Sequence, residues 1–247
     1  MQIDKETATD FWWQAIQKEM KKVMVAFEFN DALTPEQIRN GKSLYVGIQE
    51  ISFHIIFDVK MDLTRKACFV AGGHVTETPA SSAIIYSSVV SRDSVRIAFL
   101  IAALNDDLNI VACDVGNAYL NAPCREKIWF VAGPEFGFRE GSVIRIVRAL
   151  YGLKSSGASW RAMFNSSILD MGFEPATIAD PDVYRKVHSK ENGFKYYEYV
   201  LVYVNDVLII SHSPMVHLER IQVSYDLNPS SIGPLIRYLG ADVRKVT

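Results

Sequence analysis

From Tyr199 to Ser211 the chain reads Tyr-Val-Leu-Val-Tyr-Val-Asn-Asp-Val-Leu-Ile-Ile-Ser. Two runs rich in Val, Ile, Leu and Tyr flank the polar pair Asn205-Asp206, which is the pattern of a β-hairpin. Asn and Asp tolerate the positive φ of a tight turn, so the pair fits the tip. Apolar neighbours on both sides place the strands deep in a sheet and leave Asp206 as a carboxylate at the end of a hydrophobic hairpin. Such a group is either a turn former or half of a metal site.

A second carboxylate stands in similar surroundings. In Ile110-Val-Ala-Cys-Asp-Val-Gly-Asn-Ala-Tyr-Leu-Asn-Ala-Pro123 a short apolar strand delivers Asp114 at its end. Gly116 and Asn117 then break the run, and Ala118 to Leu120 form a short helix that stops before Pro123. Mg²⁺ is a hard cation that prefers carboxylate oxygens, and aspartates on adjacent strands supply them. Nucleotidyl transfer uses two such ions about 3.5–4 Å apart to polarise an attacking hydroxyl and steady the leaving pyrophosphate. Tyr119, five residues beyond Asp114, is placed either against a sugar or as a packed aromatic beneath the sheet.

With both segments in view, the chain resembles the reverse transcriptase domain of copia-type retrotransposons. Cys113 to Asn121 looks like that family's first catalytic motif, and Tyr203-Val-Asn-Asp206 like its Tyr-Val-Asp-Asp box. Arg148-Ala-Leu-Tyr-Gly-Leu-Lys-Ser-Ser-Gly-Ala-Ser-Trp160, Ala179-Asp-Pro-Asp-Val-Tyr184 and Ile236-Arg-Tyr-Leu-Gly-Ala241 match further family segments in the expected order. The resemblance implies an RNA-directed DNA polymerase that uses two Mg²⁺ or Mn²⁺ ions. Its partners would be an RNA or DNA template with primer, deoxynucleoside triphosphates and the rest of a Pol polyprotein. Asp114, Asp206 and the carbonyl of Val115 would hold metal, with Asn205 in a third position. Tyr119 would gate against the 2′-hydroxyl, while Lys60, Cys68, Tyr151 and Gly152 would contact nucleotide or template. Two departures stand against this pattern. Asn205 offers a neutral amide where the family carries an aspartate, and Cys68 stands where it usually carries an arginine that grips triphosphate. The alternative is therefore a catalytically dead relic that keeps the fold and at most a weak affinity for nucleic acid.

The resemblance also implies an α+β fold: a mostly antiparallel palm sheet backed by helices on one face, with a smaller fingers layer. Residues 1–91 would form an N-terminal helix and the fingers, and residues 92–247 the palm, with thumb and RNase H expected after residue 247. Local signals fill in the elements. Thr9 or Asp10 caps a helix carrying Trp12, Ile16, Met20 and Val23 on one face, and Thr34-Pro35-Glu36 opens another that closes at Asn40-Gly41. Phe53–Val59 and Lys66–Ala71 pair about the turn 61–64, carrying Lys60 and Cys68; Lys60 alone reads sooner as a solvated lysine at a strand end than as a phosphate contact. Residues 76–91 are loop, and Ser91–Ser94 caps an apolar helix to Leu104. Strands follow at 127–131 and 142–147, then a helix from Ser155 or Ser156 through Trp160, Phe164 and Ile168 to Met171-Gly172. Its Lys154 and Arg161 face either template phosphate or water. Strands 183–187 and 194–204, a helix from Pro214 with Leu218, Ile221 and Tyr225 inward, and a strand beginning at Tyr238 complete the chain.

With 49% hydrophobic residues among 247, the chain has material for a large core. Its formal net charge of −2 lacks the basic excess usual in nucleic-acid binders. The three cysteines, Cys68, Cys113 and Cys124, show no zinc spacing and read as buried free thiols; His74 has no second ligand at metal spacing. No apolar run approaches the roughly 20 residues of a membrane span. The expected setting is soluble and intracellular, cytoplasmic in a virus-like particle or nuclear, without membrane attachment or secretion.

Overall fold

The computed structural model describes residues 2–42, 47–77, 85–235 and 237–244. In chain order the elements are α1 (Gln2–Thr7), α2 (Phe11–Val23), β1 (Phe27–Asn30), α3 (Pro35–Arg39), β2 (Gln49–Glu50), β3 (Phe53–Val59) and β4 (Arg65–Ala71). Then come α4 (Arg92–Ala103), β5 (Asn109–Asp114), α5 (Ala118–Asn121), β6 (Ile128–Val131), β7 (Val143–Ile146), α6 (Ser156–Asp170), β8 (Glu174–Ala176) and β9 (Asp180–Ser189). The last are β10 (Lys195–Tyr203), β11 (Asp206–Ser211), α7 (Pro214–Gln222), β12 (Gly233–Pro234), β13 (Arg237–Tyr238) and β14 (Ala241–Asp242). Mixed helices and mainly antiparallel sheets make this an α+β protein. It forms two compact units, one of residues 1–86 and 119–160, the other of residues 87–118 and 161–247.

In the first unit, four strands form a sheet in the order β1-β7-β6-β2, and β3 pairs with β4 as a separate hairpin. Phe27, Phe69, Phe130 and Phe136 fill its core together with Ile16, Met20 and Val23 from α2. Phe53 stacks on Phe130 at 4.4 Å between ring centroids. The start of α2 is capped differently from the local pattern. Asp10 makes no side-chain cap bond; buried Asp4 from α1 instead accepts from the N–H groups of Trp12 and Trp13 at 3.3 and 3.0 Å. Thr34 closes a full capping box with Gln37.

The second unit is built on a six-stranded antiparallel sheet in the order β12-β5-β11-β10-β9-β8. Ser91 caps α4 by accepting from the N–H of Ser94, and Val95, Ala98 and Ala102 pack onto Leu201, Leu208 and Ile210. The residues between these on β10 and β11 point the other way. There α7 sets His217 against Glu198, so helices cover both faces of the sheet rather than one. Tyr225 is buried as expected but lies beyond the end of α7. The segment from Tyr238 does not run on as a strand, because Leu239 and Gly240, with φ of 46° and 81°, turn it back into the two-residue pair β13–β14. Residues 78–84 of the 76–91 loop, and Ile236 of the last motif, lie outside the described residues. Among the described residues no helix is long and apolar enough to cross a membrane.

Candidate active site

The carboxylates of the two motifs meet in the second unit. β5 and β11 are antiparallel neighbours, and Asp114 and Asp206 sit directly opposite each other in their register. The sheet turns between them, but not where the sequence pattern puts the tip. Tyr203 pairs with Asp206, so the two turn residues are Val204 and Asn205, and Asp206 is the first residue of β11. Val204 takes a φ of 57°. Left-handed backbone at a β-branched residue costs on the order of 1–3 kcal/mol and is found where surrounding structure enforces it. Here the enforcement is visible: the N–H of Val115 donates to the carbonyl of Asn205 at 2.8 Å, locking the turn onto the end of β5.

Asn205 reaches back across the sheet. Its Nδ2 donates to Asp114 Oδ1, while Asn228 Nδ2 lies 3.5 Å from Asp114 Oδ2. The Asp206 carboxyl is held above the usual aspartate range by burial and, after that, by the negative charge of Asp114. The buried thiol of Cys113, next to both, is pushed up to about 12 for the same reasons. A pair of facing carboxylates that disfavours full ionisation is chemically suited to a divalent cation. Two carboxylates and one amide make a sparse donor set, however; among the described residues no three His, Cys, Asp or Glu side chains converge. Val115 is fully buried and bridges to Leu227.

The other expected site residues lie in the first unit. Lys60 is exposed just beyond β3, where its backbone closes the hairpin turn with Thr64 and Leu63. Cys68, a free thiol, faces Ile56 across β3–β4. Lys60 is four residues past Ile56, so about 13 Å of strand separates the two positions. Tyr119 and Tyr151 are brought together, with ring centroids 4.8 Å apart; burial raises the Tyr119 phenol above its ordinary value. Gly152 has φ of 93°, and a Cβ there would meet the carbonyl oxygen of Ala71 at 2.0 Å. Its role is to let the Tyr151-Gly152 turn press against the end of β4, where the N–H of Ala71 donates to the Tyr151 carbonyl at 2.8 Å. Arg161 is turned to protein, donating through Nε to Asp182 Oδ1 at 2.7 Å in the second unit. Asn228 and Ser231, which bond to Asp114, have no local signal beyond the loop-forming run Asn228-Pro-Ser-Ser231.

A family model described as reverse transcriptase (RNA-dependent DNA polymerase) matches residues 43–247. The chain belongs to that family. Curated relatives place this reverse transcriptase domain with the copia type. The Transposon Ty1-DR4 Gag-Pol polyprotein of Saccharomyces cerevisiae is 27% identical over 188 residues, covering 74% of this chain and 11% of the polyprotein. The Ty1-DR6 Gag-Pol polyprotein of the same yeast is also 27% identical over 188 residues, covering 74% of this chain and 10% of its own length. The domain thus spans about a tenth of the curated relatives it matches. Among solved structures, that of a foamy viral protease-reverse transcriptase in complex with double-stranded DNA aligns with TM-score 0.45 and 11% identity, over 91% of this chain and 32% of the other.

Proposed function

We propose that the domain extends a primer on an RNA or DNA template with deoxynucleoside triphosphates, using Asp114 and Asp206 to hold a divalent cation, Mg²⁺ or Mn²⁺. The observation that carries this reading is the direct pairing of the two aspartates across β5 and β11, with Asp206 raised by burial and then by its neighbour's charge. A bound ion would lower the cost of ionising the 3′-hydroxyl and neutralise charge on the leaving pyrophosphate. The chain's own residues supply the geometry: β5 and β11 fix the two carboxylates at adjacent strand ends, and the Val115–Asn205 bond holds the turn that carries Asp206. Asn205 gives the site an amide where a third negative charge would favour a second ion. Tyr119, its ring tilted against that of Tyr151, is assigned to the sugar and Lys60 to the triphosphate, with Cys68 unable to add the fork that an arginine would offer. The domain would act inside the cell as part of a longer Pol polyprotein.

A second reading is favoured by one contact. Asn205 donates its amide to the oxygen of Asp114 that a cation would use, which suits a domain that folds and binds nucleic acid without polymerising. Primer extension with Mg²⁺ or Mn²⁺ separates the two, comparing the chain, Asn205→Asp and the blank Asp114→Ala, each joined to the C-terminal part of a related element. Extension by the unaltered chain above the blank supports the enzyme and rejects the relic. Extension by Asn205→Asp alone assigns a competent fold silenced by one missing charge. Extension by neither moves the test to Cys68→Arg in the Asn205→Asp background, whose failure rejects the polymerase reading.

A further inference from the structure

Asp114 is tied to the segment after α7 by a closed ring of three hydrogen bonds. The N–H of Asp114 donates to Ser231 Oγ at 2.8 Å. Ser231 Oγ donates to the carbonyl of Asn228 at 2.7 Å, and the N–H of Asn228 donates to the carbonyl of Asp114 at 2.9 Å. Asn228 also orients its own amide: Oδ1 accepts from the N–H and the hydroxyl of Ser230 at 3.3 and 2.9 Å, which turns Nδ2 toward Asp114 Oδ2.

The ring has a structural cause. On one side of it Gly116 donates to the carbonyl of Asp226 and Val115 bridges to Leu227; on the other, β12 pairs with Ala112 and Val111 of β5. Between these contacts the segment leaves the strand path in a helical turn that begins at Pro229. The ladder is therefore interrupted at Asp114, whose N–H would lack a backbone acceptor, and the Ser231 hydroxyl takes that place.

We infer that Ser231, together with Asn228, is a positioning residue for the reaction: it fixes Asp114 so that its carboxylate faces Asp206 in the orientation a cation needs. This rests on the metal reading of Asp114 and Asp206 above. Partners that orient a metal ligand characteristically change affinity by about 10–100-fold when removed. A residue that merely stabilises the fold would lower the melting temperature and leave cation affinity unchanged.

The test uses the full chain carrying Asn205→Asp as parent, with Mn²⁺ affinity measured by titration calorimetry and exchange of the Asp114 amide followed by NMR. In that parent, Ser231→Ala is expected to weaken Mn²⁺ binding by about 10-fold or more and to speed Asp114 amide exchange, whereas Ser231→Thr, which keeps the hydroxyl, restores both. Asn228→Ala is expected to weaken binding in the same direction, and it serves in place of Ser231→Ala if that variant does not fold. Mn²⁺ affinity within about twofold of the parent in the alanine variant overturns the inference alone. No Mn²⁺ binding by the parent overturns the metal reading and the inference with it.

Discussion

Asp206 is where the chemistry of a single residue can be read most directly. Its carboxyl lies above the ordinary range because burial and then Asp114 penalise its charged form. A carboxyl raised in the fold favours folding below the unfolded aspartate range and opposes it as pH rises through the folded value. Without divalent cation, Asp206→Asn should therefore raise the melting temperature at pH 7 to 8, by about 2–4 °C for each kcal/mol relieved. The gain should shrink toward pH 3, where Asp206 is neutral in both states. Thermal unfolding in chelator across this range checks it, and an equal or lower melting temperature at pH 7 would count against the strain assigned to the pair. Both facing aspartates were legible in the sequence because each borders a short apolar run. The turn was misplaced by one residue because Asn205 and Asp206 carry the local turn propensity, while the register of β10 against β11 forces Val204 into positive φ. Asn228 and Ser231 were illegible for a different reason: Ser231 meets Asp114 across 117 positions of sequence, and no short-range pattern encodes such a contact.

Among the elements, those with a long period, a clear cap or flanking turn signals were readable, and several short ones without them were not. The buried positions of α2 include Ile16, Met20 and Val23, and α4 and α7 begin at the expected cap and proline. By contrast α1, β1 and β8 are only six, four and three residues long, too short for a hydrophobic period to register. The docking of α7 rests on chemistry that periodicity cannot show. Glu198 is buried on β10, accepting from Ser211 and bonded to His217 of α7 at 3.1 Å. Burial pulls its carboxyl upward, but the hydrogen bonds from His217 and Ser211 and the charges of His217 and His188 outweigh that and hold it below the usual glutamate range. A depressed carboxyl stabilises the fold above the unfolded glutamate range and loses that contribution as pH falls through the folded value. Glu198→Gln should cost about 1.5–3 kcal/mol near pH 7 and converge on the wild type only once pH falls below the depressed folded value, as measured by denaturant unfolding across that range. A second cross-element contact is the ion pair of Arg161 on α6 with Asp182 on β9, whose carboxylate is 2% exposed. Arg161→Ala leaves that charge buried without its partner and should cost about 3–5 kcal/mol. Unfolding midpoints decide this, a loss under 1 kcal/mol being incompatible with a buried pair.

At the scale of the molecule, the path of the chain matters more than its order along the sequence. The chain passes from one compact unit to the other after residues 86, 118 and 160, so each unit is assembled from stretches distant in sequence. A reading made along the chain sees the stretches and their local elements, but nothing local tells it that β7 pairs with β1 across more than a hundred residues. That pairing runs from Phe27 opposite Ile146 to Asn30 opposite Val143, and the core beneath it joins Phe27 and Phe69 to Phe130, Phe136 and Ile144. A fragment of residues 92–247 would keep every strand of the six-stranded sheet. It would strip β6 and β7 of both neighbours, β2 and β1, leaving a two-stranded remnant with two unpaired edges and its apolar face uncovered. An isolated two-stranded hairpin is marginal in water, and open apolar edges invite association. The fragment is therefore expected to self-associate in size-exclusion chromatography and to lose amide protection in residues 128–146, while residues 195–211 retain protection close to that of the full chain. A monomeric fragment protected throughout 128–146 would show instead that β6 and β7 are held without the first 91 residues, and that the partition into discontinuous units carries no energetic weight.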